Sequence, residues 1–255
     1  MTTANAGAYH IVIPARFASE RLPGKVLLDL AGQPMLQHVW RRAKESSAES
    51  VVIATDDERI VNAAQAFGAQ VVLTRSDHQS GSDRIAECAE SLGWLDDHLV
   101  VNLQADEPQM PPACLDQVAE LLNQRTDCEM ASLYWPITDA EEVQNPNAVK
   151  VVTASDGCAL YFSRAPIPYA RGFSGIDEAM AAGIEWNRHL GLYAYRLAAL
   201  RHYTGCPPTP LEKAERLEQL RILEQGGRIA MARACEFIPA GIDTPDDMER
   251  VRGLI

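Results

Sequence analysis

The stretch YHIVIPARFASERLPGK, residues 9–25, contains the features that decide the fold. It begins with a short apolar run over residues 9–13, which ends at Pro14 and is typical of a buried strand. A loop rich in glycine, proline and arginine follows directly. Because ligands bind at the carboxyl ends of strands in parallel α/β sheets, this loop is a candidate ligand site.

Strands and helices alternate through the rest of the first half. Short apolar runs predict further strands at residues 51–54, 71–73 and 98–103. Helical spacing of apolar residues predicts a helix that starts at Pro34 and others over residues 56–67, 83–92 and 112–123. This alternation predicts an α/β fold with a central, mostly parallel sheet. The loops after its strands, at residues 15–25, 55–57, 74–81 and 104–108, are where ligands are expected.

The second half predicts a mixed sheet. Its strands are expected at residues 130–136, 148–153, 159–162 and 189–195, with a late strand near residues 235–238 that returns to the main sheet. Residues 211–224 predict one amphipathic helix, and residues 170–183 predict a mobile loop. Thr244 and Asp247 have the spacing of a helix cap, which predicts a final helix.

Composition narrows the classes of partner. The chain has 255 residues and a formal net charge of -12, which argues against a surface for nucleic acid polymers. A nucleotide remains compatible, because a triphosphate needs only a few local cations. Six cysteines without a C-x-x-C pair predict reduced thiols. Without a signal-peptide pattern or an apolar run of about 20 residues, we expect a cytoplasmic protein that does not enter a membrane.

Three cations, Arg16, Arg21 and Lys25, lie within a stretch of ten residues just beyond the first strand. Guanidinium groups bind phosphate oxygens two at a time, and a lysine adds a point charge. Gly24 keeps such a loop tight against a ligand. The loop lacks both G-x-G-x-x-G and the P-loop pattern, which argues against a dinucleotide-dependent oxidoreductase and against a P-loop enzyme.

The string P-A-R-x-x-S-x-R-L-P-G-K at residues 14–25 resembles the opening of the CMP-Kdo synthetases, the 3-deoxy-manno-octulosonate cytidylyltransferases. Further strings match the same family in order along almost the whole chain. They include TRSDHQSG at residues 74–81, NLQADEP at 102–108, NPNAVKVV at 145–152, RHLGLY at 188–193, LEQLR at 217–221 and GIDTPD at 241–246.

This resemblance implies a Rossmann-like nucleotidyltransferase that transfers CMP from CTP to the anomeric hydroxyl of 3-deoxy-D-manno-octulosonate (Kdo), with Mg2+ as cofactor. It implies a CTP-binding core over about residues 1–128 plus 228–255. A smaller subdomain over about residues 129–227 would bind the sugar and form a homodimer, with Tyr134, Trp135 and the strand at residues 189–195 as a candidate dimer surface. The product would enter lipopolysaccharide biosynthesis.

The resemblance also implies the site residues. For CTP they are Pro14, Ala15, Arg16, Arg21, Lys25, Arg75, Gln79, Ser80, Gly81 and Asp106. For the sugar acid they are Gln104, Arg164, His189, Tyr193, Glu212 and Gln219. The catalytic set is Arg16, Lys25, Asp106 and Asp243.

Asp106 and Asp243 are the implied metal ligands. Two separated carboxylates at one sheet edge suit Mg2+. From spacing alone, helix capping explains either aspartate equally well, because aspartate is a favoured capping residue. Glu212 and Gln219 are seven residues apart, so in a single helix they would share one face. Arg164 suits the carboxylate of a sugar acid.

Three alternatives stay open at this point. The same chemistry on 8-amino-3,8-dideoxy-octulosonate changes only the sugar. The CMP-sialic acid synthetases are more distant, because their opening loop differs from the RLPGK string. A catalytically silent binder on the same fold would be expected to lack Lys25, Asp106 or Asp243, and all three are present.

Overall fold

The computed structural model describes residues 8–18, 22–242 and 244–253. The predicted site residues Arg21 and Asp243 lie outside this described part. Strands β1–β11 are, in order, Tyr9–Ala15, Asp29–Leu30, Gln33–Pro34, Ser50–Thr55, Gln70–Leu73, Leu99–Asn102, Met130–Ile137, Lys150–Thr153, Ala159–Ser163, Trp186–Arg196 and Ile229–Arg233. Helices α1–α10 are Met35–Lys44, Glu58–Ala66, Gly81–Ser91, Pro112–Gln124, Ala140–Gln144, Ile176–Ala181, Leu197–Thr204, Pro210–Glu215, Leu220–Glu224 and Pro245–Arg252.

Seven strands form the main path of one sheet, in the order β11-β7-β10-β6-β1-β4-β5. Strands β6, β1, β4 and β5 pair in parallel, and β7 pairs in parallel with β11. Strand β10 runs antiparallel to both of its neighbours on this path. The hairpin β8–β9 joins the sheet through β10. The predicted α/β fold with a mostly parallel sheet is confirmed.

Strand β1 is buried on both faces, which explains its unbroken apolar sequence. Ile11 and Ile13 pack into a core with α1, α2 and α4 on one side of the sheet. Val12 points the other way, into a second core that includes Ile85 of α3 and Leu200 of α7. Each fully buried aliphatic side chain of this kind contributes about 1.5–3 kcal/mol to folding.

The parallel register brings the strand ends to one edge. Ala15 of β1 pairs with Thr55 of β4, and Thr55 pairs with Leu73 of β5. Strand β6 ends earlier, at Asn102 opposite Val12. The loops after β1, β4, β5 and β6 therefore meet above the same edge, as predicted for the candidate ligand loops.

The prediction of one helix over residues 211–224 is wrong. Two short helices, α8 and α9, cover this stretch, and α8 ends where Arg216 adopts a left-handed conformation with φ of 53°. The guanidinium of Arg164 donates to the carbonyl of Glu215 at 2.7 Å, a tertiary contact that local sequence spacing does not reveal. Glu212 and Gln219 consequently do not share a helix face.

The late strand lies at Ile229–Arg233 rather than near residues 235–238. Strand β11 pairs with β7 up to Arg233 and Tyr134. Beyond that point, the amide side chain of Gln117 replaces a strand partner, because it donates to the Arg233 carbonyl and accepts from the Cys235 N–H, both at 2.8 Å. The chain then continues without regular structure toward the strand-end edge.

Three other predictions can be compared with the structure. The segment expected as a mobile loop at residues 170–183 contains α6, whose Ala179 packs with Trp186 in a small core. The strand offered as a dimer surface, β10, lies inside the sheet between β6 and β7. The final helix begins as predicted, with a capping box between Thr244 and Asp247. The division into a core and a subdomain stays a prediction.

Lys150 of β8 is fully buried and ties three chain segments together. Its ammonium donates to the carbonyls of Asn145, Ala148 and Arg164 at 2.9, 2.6 and 2.7 Å. Burial lowers the pKa of Lys150, and the nearby Arg164 charge acts in the same direction. The three carbonyls balance this cost by solvating the ammonium in place of water.

We expect Lys150→Met to lower the free energy of unfolding by about 3 kcal/mol, because three buried carbonyls lose their donor. Chemical denaturation followed by circular dichroism measures this change. The matched control is Lys44→Met at an exposed position of α1, expected to change stability by less than about 0.5 kcal/mol. Equal effects of the two substitutions would contradict the structural role of Lys150.

Candidate active site

A cavity of about 400 Å³ lies above the strand-end edge. One part of its lining, here called the loop wall, comes from residues 14–16 at the end of β1 and residues 78–82, which lead from β5 into α3. A second part, the turn wall, consists of Tyr193 of β10 and residues 216–219 between α8 and α9. Asn102 and Gln104, at the end of β6, also line the cavity. Most of these residues are polar, as expected for a site that binds a charged, hydroxylated ligand.

The loop after β1 folds tightly at Gly24, which has φ of 69° and donates to the Phe17 carbonyl at 2.9 Å. A Cβ atom at Gly24 would lie 2.9 Å from the Phe17 ring, so this position requires glycine. The turn aligns Lys25, whose ammonium donates to the Asp106 carboxylate at 2.6 Å. Arg16, at the start of the loop, lines the cavity.

The segment that leads to Asp243 lies against Asp106. The Ile242 N–H donates to the Asp106 carbonyl at 2.8 Å, and the Ile242 carbonyl accepts from Lys25 at 3.1 Å. A Cβ atom at Gly241 would lie only 3.1 Å from the Asp106 carbonyl, so glycine permits this close approach. Asp243 itself is outside the described residues. The donor set at this place, a carboxylate with a second one expected at the next residue of the chain, fits the oxygen ligands that Mg2+ prefers.

The loop wall is held by the start of α3. Ser80 and Asp83 form a capping box, in which Ser80 accepts from the Asp83 N–H at 3.2 Å. Gly81 follows at the helix start, and a Cβ there would lie 3.4 Å from the Pro14 ring. Gln79 donates to the Asp77 carbonyl at 2.9 Å. Pro14, Gln79, Ser80 and Gly81 therefore come together at the cavity, with exposed backbone and amide groups.

Arg84 is a cavity residue that the sequence interpretation missed. It is only 5% exposed, donates to the Thr74 hydroxyl at 2.5 Å and pairs with Asp56 at 3.3 Å. These contacts join the loop after β4 to the loop after β5. The available signal was an arginine at the start of a helix whose neighbouring positions Ile85 and Cys88 are apolar.

The turn wall contains an orphaned polar group. The Tyr193 hydroxyl donates to Gln219 Oε1 at 3.3 Å. Gln219 Nε2 is buried and has no hydrogen-bond partner within the described part of the chain. A buried amide without a partner costs about 1–3 kcal/mol, so this donor is suited to a ligand oxygen. Gln104 donates to Asn102 at 3.1 Å nearby.

Glu218, beside Gln219, is a second cavity residue that was missed. Its carboxylate accepts from the hydroxyls of Ser82 and Tyr203 at 3.3 and 3.2 Å. Burial raises the pKa of Glu218, and these two hydrogen bonds act against that rise. Glu218 lies within the LEQLR string at residues 217–221, which was the available signal.

Glu212 is not brought to the cavity. Its two carboxylate oxygens accept from Arg221 at 2.5 and 2.7 Å in a buried ion pair. Burial opposes ionisation of Glu212, but the hydrogen bonds from Arg221 and from the Thr209 N–H hold its pKa below the usual value. The acidic side chain that faces the cavity from this region is Glu218 instead.

Two predicted arginines also point elsewhere. Arg164 directs its guanidinium to the carbonyls of Glu215 and Pro146, at 2.7 and 2.9 Å. It therefore supports the turn wall from behind. Arg75 lies on the outer side of its loop, where it pairs with Asp77 at 3.1 Å.

His189 lines a neighbouring cavity of about 730 Å³, which also contains Glu107 and Gly241. Its Nε2 atom lies 2.9 Å from the Ser132 hydroxyl, and its ring packs edge-on against Phe162. Burial lowers the pKa of His189 to about 3. The imidazole is therefore neutral at physiological pH and serves as a hydrogen-bonding group without charge.

Because the pKa of His189 is below its ordinary value of 6.5, the folded chain binds fewer protons than the unfolded chain as the pH falls. The contribution to stability is fully present above about pH 6.5 and is lost progressively toward pH 3. We expect His189→Gln to reduce the slope of unfolding free energy against pH by about 1 kcal/mol per pH unit between pH 6 and 4.

Denaturant unfolding at several pH values gives this slope. The exposed His202 provides the control, since His202→Gln is expected to leave the slope close to that of the unaltered protein. An unchanged slope for His189→Gln would show that the buried imidazole is not responsible for the acid sensitivity.

A family model described as cytidylyltransferase matches residues 10–229. The 3-deoxy-manno-octulosonate cytidylyltransferase of Pseudomonas fluorescens is 52% identical over 251 residues, which cover 98% of this chain and 99% of the relative. The protein of the same name from Francisella tularensis subsp. novicida is 49% identical over 245 residues, with coverage of 96% and 97%.

Solved structures of cytidylyltransferases are also similar to this chain. The structure of a CMP:2-keto-3-deoxy-manno-octonic acid synthetase complexed with CTP is similar with a TM-score of 0.89 and 40% identity. The match covers 97% of this chain and 98% of the chain in that structure. A cytidylyltransferase from Leptospira borgpetersenii has a TM-score of 0.61 at 19% identity, which shows likeness of fold alone.

Proposed function

This chain belongs to the cytidylyltransferase family and, within it, to the 3-deoxy-manno-octulosonate cytidylyltransferases, and we propose that it transfers CMP from CTP to the anomeric hydroxyl of Kdo. The products are CMP-Kdo and pyrophosphate. The observation that carries this function is that one cavity joins the loop wall to the turn wall with its orphaned Gln219 donor. A nucleotide and a sugar acid can thus meet in one site.

The loop wall suits the nucleotide. Gln79, Ser80 and Gly81 offer amide and backbone groups for the hydrogen-bonding edge of cytosine. Arg16, which lines the cavity, and Lys25, nine residues further along the chain, can stabilise negative charge on the phosphates. Arg21 is expected to contribute in the same way on the basis of the sequence.

The turn wall suits the sugar acid. Gln219 Nε2 can donate to a hydroxyl or carboxylate oxygen, and Tyr193 and Gln104 add further hydrogen-bonding groups. Glu218 can accept from a sugar hydroxyl. Glu212, Arg164 and His189 do not line this cavity, and Arg164 and Glu212 instead support the turn wall through their contacts with Glu215 and Arg221.

We also propose Mg2+ as the cofactor, held by Asp106 and Asp243. When bound, the ion supplies neutralisation of phosphate charge and greater acidity of the attacking hydroxyl. Lys25 contacts Asp106 and fixes this carboxylate in the loop after β6. The Ile242 contact with the Asp106 backbone holds the segment on which Asp243 lies.

The reaction needs no covalent enzyme intermediate. The anomeric oxygen of Kdo forms a bond to the α-phosphorus of CTP, and the bond to the pyrophosphate oxygen breaks. The residues of this chain bind both substrates in line, and Arg16 and Lys25 stabilise the charge that develops on the leaving group. The same is true of other phosphoryl transfers, in which substrate positioning and electrostatic stabilisation provide most of the rate enhancement.

The setting of the enzyme is also a proposal. We propose that it acts in the cytoplasm as a homodimer and that CMP-Kdo enters lipopolysaccharide biosynthesis, as the family resemblance implies. Within the described residues, the helices are too short or too polar to cross a membrane. The alternative sugar, 8-amino-3,8-dideoxy-octulosonate, is not favoured, because the named relatives at about 50% identity are Kdo enzymes.

The function is tested by pyrophosphate release from CTP, Kdo and Mg2+, with UTP and the 8-amino sugar in parallel. We expect release only when CTP and Kdo are both present. Asp106→Asn should lower kcat by at least about 100-fold, because a carboxylate at the reacting phosphate is removed.

Asp97→Asn, at an exposed position away from the cavity, is the matched control and should retain activity. Binding of Mn2+ measured by electron paramagnetic resonance gives a readout of the metal site that is independent of turnover. Pyrophosphate release with the 8-amino sugar and not with Kdo would assign the 8-amino sugar as the substrate. Full activity of Asp106→Asn would remove Asp106 from the catalytic set.

Gln219→Leu is expected to raise the KM for Kdo about 10-fold and the KM for CTP less than about twofold, because one hydrogen bond to the sugar is lost. Steady-state kinetics with each substrate varied in turn measures both values. Gln65→Leu, on an exposed face of α2, is the control. A rise in the KM for CTP instead would assign Gln219 to the nucleotide.

A further inference from the structure

Glu87 of α3 contacts the loop between β5 and α3 without lining the active-site cavity. Both of its carboxylate oxygens accept from the backbone N–H of Arg75, at 3.1 and 3.3 Å. The same carboxylate accepts a hydrogen bond from His78 Nε2. One side chain on a helix therefore holds two points of the loop that are three residues apart.

The contacted residues lead directly into the loop wall. His78 lines the cavity, and its side chain is only 7% exposed. Gln79, Ser80 and Gly81 follow it in the chain and line the same cavity. The His78 ring and the Arg75 backbone thus contribute, together with the Asp83 contact to Ser80, to the placement of residues 79–81.

Other α3 side chains hold the two ends of this loop. Arg84 holds Thr74, at the end of β5, through a hydrogen bond of 2.5 Å. Asp83 holds Ser80, by accepting from its backbone N–H at 3.0 Å and its hydroxyl at 2.9 Å. Glu87 contacts the stretch between these ends. Through its contacts with Arg75 and His78, the Glu87 side chain connects the middle of the loop to α3.

The position of Glu87 predicts a selective effect on one substrate. Fixing the backbone of a residue costs about 1–2 kcal/mol, and a loop that is already fixed does not add this cost to ligand binding. The turn wall at residues 216–219 is supported by other groups, including Arg164. Loss of Glu87 should therefore weaken binding at the loop wall and leave the turn wall intact.

We propose that Glu87 is a positioning residue that holds the base-reading loop ready for cytosine, and thereby sets both the affinity for CTP and the discrimination against UTP. This inference rests on the proposed function, in which the loop wall binds the nucleotide. Glu87 acts through Arg75 and His78 and does not touch the substrate.

The test is steady-state kinetics of Glu87→Ala with CTP, UTP and Kdo each varied. We expect the KM for CTP to rise about 10-fold, the ratio of kcat/KM for CTP over UTP to fall about 10-fold, and the KM for Kdo to stay within about twofold. A residue with a merely structural role would lower the melting temperature and leave these ratios unchanged.

Glu90→Ala is the matched control, because Glu90 is an exposed acid on the same helix, three residues from Glu87. It should leave all three constants unchanged. Turnover of CTP and Kdo by the unaltered protein tests the proposed function separately. Equal rises in the KM for CTP and Kdo, or an unchanged KM for CTP, would overturn the role of Glu87.

A second set of variants keeps the inference testable if Glu87→Ala folds poorly. Glu87→Gln retains an acceptor for the Arg75 N–H and removes the charge opposite His78. Combined with His78→Ala in a double-mutant cycle, it should give less than additive losses in CTP affinity. Fully additive losses would show that Glu87 and His78 act independently, which would overturn the proposed connection.

Discussion

The burial of β1 on both faces is the constraint on which the rest of the structure depends. Its side chains enter two cores, so β1 cannot slip by one residue without exchanging the groups that each core receives. The fixed register places Ala15, Thr55 and Leu73 at the same edge. The cavity forms there because β6 ends early, at Asn102, and leaves Gln104 and Asp106 in the loop beyond it.

Two cations at the strand-end edge of this acidic chain are held in place by carboxylates. Lys25, beyond β1, contacts Asp106 in the loop after β6, and Arg84 of α3 contacts Asp56 in the loop after β4. These ion pairs fix the cations before a ligand arrives, at the cost of partly neutralising them. In a protein of net charge -12, such local pairing also prevents repulsion among the carboxylates of this edge. The same contacts that hold the site together therefore tune its charge.

The sequence was sufficient for the features that depend on local pattern. The apolar run of β1, the alternation of strands and helices and the Thr244 cap were all predictable, because each is encoded within a few neighbouring residues. The turn at Arg216 was not, because apolar spacing continues across it and the interruption depends on Arg164, 52 residues away in sequence. The family resemblance placed Glu212 in the sugar site, and the expected continuous helix put it on the same face as Gln219. Strand β11 was displaced for a similar reason, since Gln117 of α4 determines where its pairing ends.

The two walls of the cavity differ in how they are supported, and this difference explains which residues can be recognised from sequence. The part of the loop wall at residues 78–82 is held by α3, a continuous helix whose side chains contact their own preceding loop, so support and site there occupy one short stretch of chain. The turn wall is held by Arg164 and by the pair of Arg221 with Glu212, which join distant segments. A family motif contains residues that line the cavity and residues that support its walls, and does not distinguish the two. Only the three-dimensional contacts distinguish a side chain that faces the cavity, such as Gln219, from one that holds the wall behind it.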